Sequence, residues 1–296
     1  MEKKKHLKLS SRLLLLLCLM GLGLMVAAVA SALTLLGGQN LLVLLTLQDV
    51  LAFILPAIVA MAIFYRKPLH VMCLDRAPGW PILLVIVLFY FISLPAMNWL
   101  INFNESMTLP SWMAGLEQIM RDAEDSAMET TKRLLDIHSL GEMLACVFVV
   151  GFMAGLSEEM LFRGAMLRTM QDSRLGTHAV VWIVAIIFSA IHLQFYGFLP
   201  RMVLGLWLGY LLVWSRSLWA PIIAHTLNNS SVVVFNYLSN VGVLPEGAGD
   251  RLGIPSAGGF PWLALVSFMA SVCLAAGTCH YFSCKHSLIA SSNETT

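Results

Sequence analysis

The chain has 296 residues and a formal net charge of +1, with 58% hydrophobic and only 12% charged residues. Soluble domains carry roughly 25% charged residues, so the composition excludes an ordinary soluble fold and predicts an integral membrane protein. No basic patch is dense enough to indicate a nucleic-acid partner. The six cysteines are scattered and lack the pattern of a disulfide framework.

Eight apolar runs follow one another along the chain, each about as long as the ~20 residues that cross a bilayer core. They predict an all-α fold, a polytopic transmembrane bundle of about eight spans. The runs are Leu13–Leu36, Leu41–Tyr65, Trp80–Ile101, Gly141–Arg163, His178–Leu193, Leu199–Trp214, Leu218–Leu238 and Phe260–Tyr281.

The first run also has features of a signal peptide. Four lysines precede it, and Ala28-Val29-Ala30 resembles a signal-peptidase site. Because the apolar stretch continues to Leu36, beyond the usual length of a signal-peptide core, we favour a retained first span over a cleaved signal peptide.

Lysine and arginine set the expected orientation, because they concentrate in the cytoplasmic loops of membrane proteins. If eight spans alternate, the more basic side holds both termini, which are therefore predicted to be cytoplasmic. The long acidic loop Asn102–Leu140 then lies outside, and Trp112, Leu116 and Ile119 indicate an amphipathic surface helix within it. We expect a multi-pass protein of a bacterial inner (plasma) membrane.

Few ionisable or strongly polar side chains lie within the predicted spans. A charged side chain at the bilayer centre costs at least ~2.5–3.5 kcal/mol, so such residues are expected to face the bundle interior or a wet cavity. Asp49 is interpreted instead as a solvated helix end. The others are Glu158, Glu159, Arg163, His192, His225, Asn228 and Asn229.

The two adjacent glutamates cannot share one role, because neighbouring helical residues point about 100° apart. Glu159 and Arg163 are four positions apart and can pair on one helix face. Glu158 is then left without a local cation, as a general base requires.

Histidines on other spans provide partners for Glu158. The fourth and fifth runs form an antiparallel hairpin, and Glu158 and His192 are equally far from its turn, so they should lie at similar depth. His225 and Asn229 lie one turn apart on the seventh run. These four residues are therefore candidates to share one intramembrane pocket.

Three motifs carry a family resemblance. Ser157–Gly164 reads SEEMLFRG and matches EExxxR followed by glycine, Phe188–His192 matches FxxxH, and His225–Asn229 matches HxxxN. Their order and spacing resemble the CPBP group, which comprises CAAX prenyl endopeptidases and bacterial bacteriocin-immunity (Abi) proteins. The resemblance covers roughly residues 141–240.

The resemblance implies an intramembrane endopeptidase that hydrolyses a membrane-associated or C-terminal peptide. It implies three segments: residues 1–140 with the N-terminal spans and the acidic loop, a catalytic core at 141–240, and a loop, last span and tail at 241–296. The implied roles are water activation by Glu158 and His192, oxyanion stabilisation by His225 and Asn229, and structural support by Glu159 and Arg163.

Several alternatives stay open. The family resemblance does not decide between a glutamate protease without a cofactor and a metalloprotease, in which Glu158, His192 and His225 would hold a divalent metal such as zinc. The same pocket could bind a peptide or membrane protein without cutting it, as an immunity or scaffold protein would. A proton-coupled transporter is less favoured, because no inverted repeat is visible. The expected partners are a peptide or membrane-protein substrate and the lipid bilayer.

Overall fold

The regular structure of the chain is helical. The computed structural model describes residues 7–35, 41–245, 247, 251–255 and 259–294, with side chains outside 33–35 and 284–294. Its main helices are α1 (Leu9–Leu35), α2 (Leu41–Phe64), α3 (Trp80–Glu105), α4 (Ala114–Leu134), α5 (Leu140–Met170), α6 (Thr177–Ala190), α7 (Phe198–Ser215), α8 (Trp219–Asn240) and α9 (Trp262–Glu294).

Eight of these helices coincide with the eight predicted apolar runs, and α4 is the additional surface helix. In the part of the chain that the structure describes, six helices are long and apolar enough to cross a membrane, namely α1, α2, α3, α5, α7 and α9. Helix α6 is shorter, with 14 residues. Helix α8 has 22 residues but carries polar side chains along its middle. The predicted all-α polytopic bundle of about eight spans is confirmed, and the protein is an integral membrane protein.

Helix α5 passes through the hydrophobic core and is the central element of the fold. Its Phe162 is buried against Phe188 of α6, with the ring centroids 5.2 Å apart and the rings perpendicular. The same core contains Leu16 of α1 and Phe64 of α2. The first two helices therefore pack directly against the central helix.

A buried polar contact fixes the start of α1. Arg12 Nη1 donates to Asp172 Oδ2 at 2.6 Å, and the Tyr65 hydroxyl donates to the same oxygen at 2.8 Å. Arg12 and Asp172 are almost fully buried. The first helix is thus bound to the loop that follows α5 by an ion pair as well as by apolar packing.

In the described parts of the chain, two helices contain π-helical segments, in which the backbone hydrogen bonds reach one residue further than in an α-helix. One lies in α2 at Asp49–Ile54, and α5 has two, at Val147–Met153 and Met160–Leu167. The α5 segments flank the two adjacent glutamates. Such segments are rare in proteins and frequently occur at functional sites.

The acidic loop forms one amphipathic helix, α4, whose inner face contacts the turn Phe195–Gly197. The Arg121 guanidinium lies 4.4 Å from the centroid of the Tyr196 ring and bonds Glu117 at 2.8 Å. That hydrogen bond holds the pKa of the Glu117 carboxyl below its usual value. Trp112, in the turn before α4, and Ile119 on α4 are exposed, as expected of a segment that lies at a membrane surface.

The orientation prediction is tested by cysteine labelling in a cysteine-free background. Ser126 in α4 and Ser10 in α1 are both exposed and lie on opposite sides of the predicted bilayer. Because the basic side is expected to be cytoplasmic, a membrane-impermeant maleimide added to intact cells should label Ser126→Cys and leave Ser10→Cys unlabelled until the cells are permeabilised. The reverse pattern would overturn the orientation.

Candidate active site

A fully buried arginine holds the centre of the candidate site. Arg163 Nη1 donates to Glu159 Oε1 at 2.7 Å, and Nη2 donates to the Gly205 carbonyl of α7 at 2.9 Å. The guanidinium carbon lies 4.5 Å from the centroid of the Phe188 ring. The Glu159–Arg163 contact predicted from their spacing is therefore present within α5. The other two contacts of Arg163 join α5 to α6 and α7.

Glu159 also binds the histidine of α8. The same Oε1 atom lies 2.9 Å from His225 Nδ1. Because a carboxylate paired with arginine acts as an acceptor, Nδ1 carries the proton. The second ring nitrogen, Nε2, then faces Glu158, with 3.9 Å between it and Oε2. Both adjacent glutamates are thus oriented towards one imidazole, with Glu159 completely buried and Glu158 about one-fifth exposed.

His192 approaches this cluster through Phe188. Its Nδ1 lies 2.8 Å from the Phe188 carbonyl one turn earlier, so Nδ1 is the donor and Nε2 is left as an acceptor. The Phe188 ring lies edge-on to both histidines, at centroid distances of 5.3 Å for His192 and 6.0 Å for His225. Between His192 and Glu158, both in the described chain, the structure records no hydrogen bond or ion pair.

Asn229 hydrogen-bonds a backbone carbonyl of α5. Its Nδ2 donates to the Val150 carbonyl of α5 at 3.2 Å, and its Oδ1 accepts from Asn228 Nδ2 at 3.1 Å. Asn229, one helical turn after His225, therefore lies on the side of α8 that faces α5 and hydrogen-bonds the α5 backbone.

The interpretation of Asp49 as a solvated helix end is wrong. Asp49 is buried, and its Oδ1 accepts a hydrogen bond of 2.8 Å from the Ser157 hydroxyl. The reason is that α2 continues as one helix on both sides of Asp49 and packs against α5. The sequence signal was present, since an Asp inside a long apolar run is expected to face the bundle interior.

Small residues allow α5 and α8 to approach closely enough for these contacts. A β-carbon at Gly151 would lie 2.2 Å from Ser230 Oγ, and one at Gly155 would lie 3.0 Å from Thr226 Oγ1. Small residues four apart on each helix let the backbones meet, as is common between membrane helices. This packing places His225 beside Glu158 and Glu159.

The proposed metal ligands do not form a set. A catalytic zinc site takes three protein ligands at bond distances near 2.0–2.2 Å for nitrogen and oxygen donors. The Nδ1 atoms of His225 and His192 are bonded to Glu159 and to the Phe188 carbonyl, which leaves Nε2 of both rings open to a metal, as is usual for histidine ligands. Within the described residues, no group of three His, Cys, Asp or Glu side chains is arranged to hold a metal ion.

The fold and the buried cluster define a polytopic helical membrane protein with a Glu–Arg–His network inside the bundle. Residues 140–231 match the family model described as type II CAAX prenyl endopeptidase Rce1-like. The predicted resemblance to the CAAX-protease family is thereby confirmed over this segment, which contains all six predicted site residues. No curated protein and no solved structure matches the chain.

Replacing Gly151 with leucine should separate α5 from α8. The larger side chain would overlap Ser230, so we expect a loss of about 1–3 kcal/mol of stability, as for overpacking in a core. Thermal unfolding in detergent measures this change. Gly141→Leu on the same helix is the control, because no atom lies within 4 Å of its β-carbon position. Equal stabilities of the two variants would contradict the packing argument.

Arg163→Ala should leave Glu159 buried without its guanidinium partner. Breaking a buried ion pair by removing one partner costs about 3–5 kcal/mol, so folded yield and melting temperature should both fall. Arg133→Ala, which removes an exposed ion pair with the same i, i+4 spacing, should change stability by less than about 1 kcal/mol. An inactive Arg163→Ala protein with wild-type stability would instead make Arg163 a substrate ligand.

Proposed function

We propose that the protein is an intramembrane endopeptidase that hydrolyses a peptide bond near the end of a membrane-associated substrate. The observation that carries the proposal is the pair of glutamates facing His225: Glu159 is held by Arg163, while Glu158 makes no hydrogen bond within the described residues. A partly exposed carboxylate next to a fixed imidazole is a suitable general base.

The proposed reaction begins with a water molecule that donates one proton to Glu158 as its oxygen attacks the peptide carbonyl carbon. The His192 Nε2 lone pair accepts a hydrogen bond from the water's other O–H, which stays intact, and this bond orients the attack. The tetrahedral intermediate then collapses, the carbon–nitrogen bond breaks, and Glu158 returns its proton to the leaving amine. The immediate products are a carboxylic acid and an amine, and transfer of the acid's proton to the amine gives a carboxylate and an ammonium group.

The oxyanion role proposed for His225 has a chemical requirement. Its Nδ1 proton is already directed at Glu159, so Nε2 can donate to an oxyanion only when the ring carries both protons. Asn229 would contribute the second donor by exchanging its bond to the Val150 carbonyl for one to the substrate.

The substrate is proposed from the family match and from the predicted location. The family is that of CAAX prenyl endopeptidases, which suggests a peptide with an apolar or lipidated C-terminal segment. The expected location is a bacterial inner membrane with both termini in the cytoplasm. Peptides of matched sequence, with and without a prenylated cysteine, should be tested as quenched fluorogenic substrates of the purified protein.

Matched amide substitutions at the two glutamates separate their roles. Glu158→Gln removes the proposed base but disturbs only a 3.9 Å contact, so cleavage should disappear while stability and peptide binding persist. Glu159→Gln weakens two buried hydrogen bonds and should lower the melting temperature. Asn229→Ala should lose roughly 10²–10³ in rate, as for one oxyanion donor.

The mechanism is wrong if Glu158→Gln turns over substrate like the wild type in the same assay. A wild-type protein that binds the peptides tightly and cleaves none of them would favour the immunity or scaffold function instead.

A further inference from the structure

A cavity lies at the end of the bundle where α5 and α7 finish and α6 begins. Its volume is ≈ 650 Å³, and residues 67–76, 168–177 and 212–216 contribute to its walls. We call it the basic cavity. None of the six predicted site residues lines it, and the hydrolysis proposed above does not use it.

Four lysine and arginine side chains line the basic cavity: Lys67, Arg76, Arg168 and Arg216. No carboxylate is among its lining residues. The neighbouring acid, Asp75, bonds the His70 ring at 2.6 Å. Neither Lys67 nor Arg216 has an ion-pair partner among the described residues. The cavity therefore has a net positive charge that an anion would compensate.

The cavity walls are held by specific hydrogen bonds. Arg168 donates from Nε to the Val71 carbonyl at 2.7 Å and from Nη1 to Gln171 Oε1 at 2.7 Å. These bonds fix the guanidinium, and Nη2 has no hydrogen-bond acceptor among the residues that the structure describes. Across the cavity, the Leu218 amide donates to the Cys73 carbonyl at 2.9 Å. The two loops that carry the cations are thus connected.

The backbone at the cavity is strained at two positions. Cys73 and Arg216 line it and have φ values of 61° and 53°, in the left-handed region that side chains other than glycine and asparagine rarely occupy. Strain of this kind persists only where the surrounding structure enforces it, and it concentrates at ligand-binding sites. The left-handed conformation of Arg216 ends α7, and the Arg216 side chain lines the cavity.

Apolar residues complete the cavity. Val71, Leu212 and Val213 line it together with the cations, and Leu212 and Val213 belong to the last turn of the membrane helix α7. A ligand that contacts both the cations and the apolar wall of the cavity needs an anionic group and an apolar portion. Basic pockets between membrane helices bind phospholipid headgroups for this reason.

We propose that the basic cavity binds the phosphate group of an anionic phospholipid headgroup. Lys67, Arg168 and Arg216 contact the phosphate, and the apolar wall contacts the glycerol backbone. Met72 and Leu218 adjoin the cavity loops and pack on Gly164 of α5, whose β-carbon position lies 2.8 Å and 3.1 Å from their side chains. A bound lipid therefore braces α5 next to Arg163.

Lipid retention by the full-length protein tests the proposal. Protein is purified from nanodiscs containing equal parts of phosphatidylcholine and phosphatidylglycerol, and the retained lipid is measured by native mass spectrometry. Wild type should retain phosphatidylglycerol preferentially. The Lys67→Gln, Arg216→Gln double variant should bind it more weakly, by about fivefold for each cation removed. Both side chains are exposed, so the fold should persist, and a melting curve verifies this.

The matched control removes two cations from the same end of the bundle but outside the cavity. Lys8 and Arg174 are exposed and do not line it, so Lys8→Gln with Arg174→Gln should retain phosphatidylglycerol like the wild type. Equal retention by the wild type and the cavity variant, or equal losses in both double variants, would overturn the proposal.

A titration with inorganic phosphate distinguishes a lipid headgroup from a soluble phosphate compound as the source of the bound phosphate. Phosphate titrated into the wild-type protein in detergent should displace phosphatidylglycerol. In the Lys67→Gln, Arg216→Gln double variant, the same titration should have little effect on bound lipid. Calorimetric phosphate binding without any lipid preference would overturn the lipid assignment and identify a soluble phosphate compound as the ligand.

Discussion

The interior of this protein depends on one buried guanidinium. Arg163 is fully buried in a bundle where an unpaired charge is very costly. It is compensated by Glu159, by the Gly205 carbonyl and by the face of the Phe188 ring. Because these partners belong to α5, α7 and α6, satisfying the charge fixes three helices relative to one another. Glu159 Oε1, which accepts the hydrogen bond from Arg163, also accepts one from His225 of α8. The electrostatic requirement of one arginine thus determines the arrangement of the candidate site.

Charge alone would not bring α8 close enough. Between membrane helices the hydrophobic effect supplies no attraction, so close packing and interhelical hydrogen bonds replace it. Gly151 and Gly155 of α5 face Ser230 and Thr226 of α8 and provide that packing. At the same level, the bond from Asn229 to the Val150 carbonyl joins the two backbones. Backbone packing and the hydrogen bond from His225 to Glu159 therefore act on the same pair of helices, α5 and α8.

The sequence predicted the helices well because each apolar run has to match the bilayer thickness, a constraint that leaves little freedom. It also predicted the Glu159–Arg163 pair, which depends only on local helical spacing. It did not predict that His225, rather than His192, contacts the glutamates. Equal distance from a hairpin turn gives depth but not helix rotation, and the rotation of α8 is set by its packing on Gly151 and Gly155. The π-helical segments depend on hydrogen-bond register, which the sequence pattern does not contain.

Asp49 shows that the candidate site extends beyond the segment that carries the family motifs. It lies in α2, before the matched residues 140–231, yet it accepts a hydrogen bond from Ser157, the residue next to Glu158. Its own π-helical segment begins at that point. The hydrophobic core likewise includes Leu16 and Phe64 from the first two helices. Residues before 140 therefore help to set the position and the electrostatic surroundings of Glu158. Differences in these helices would change the candidate site even where EExxxR, FxxxH and HxxxN are retained.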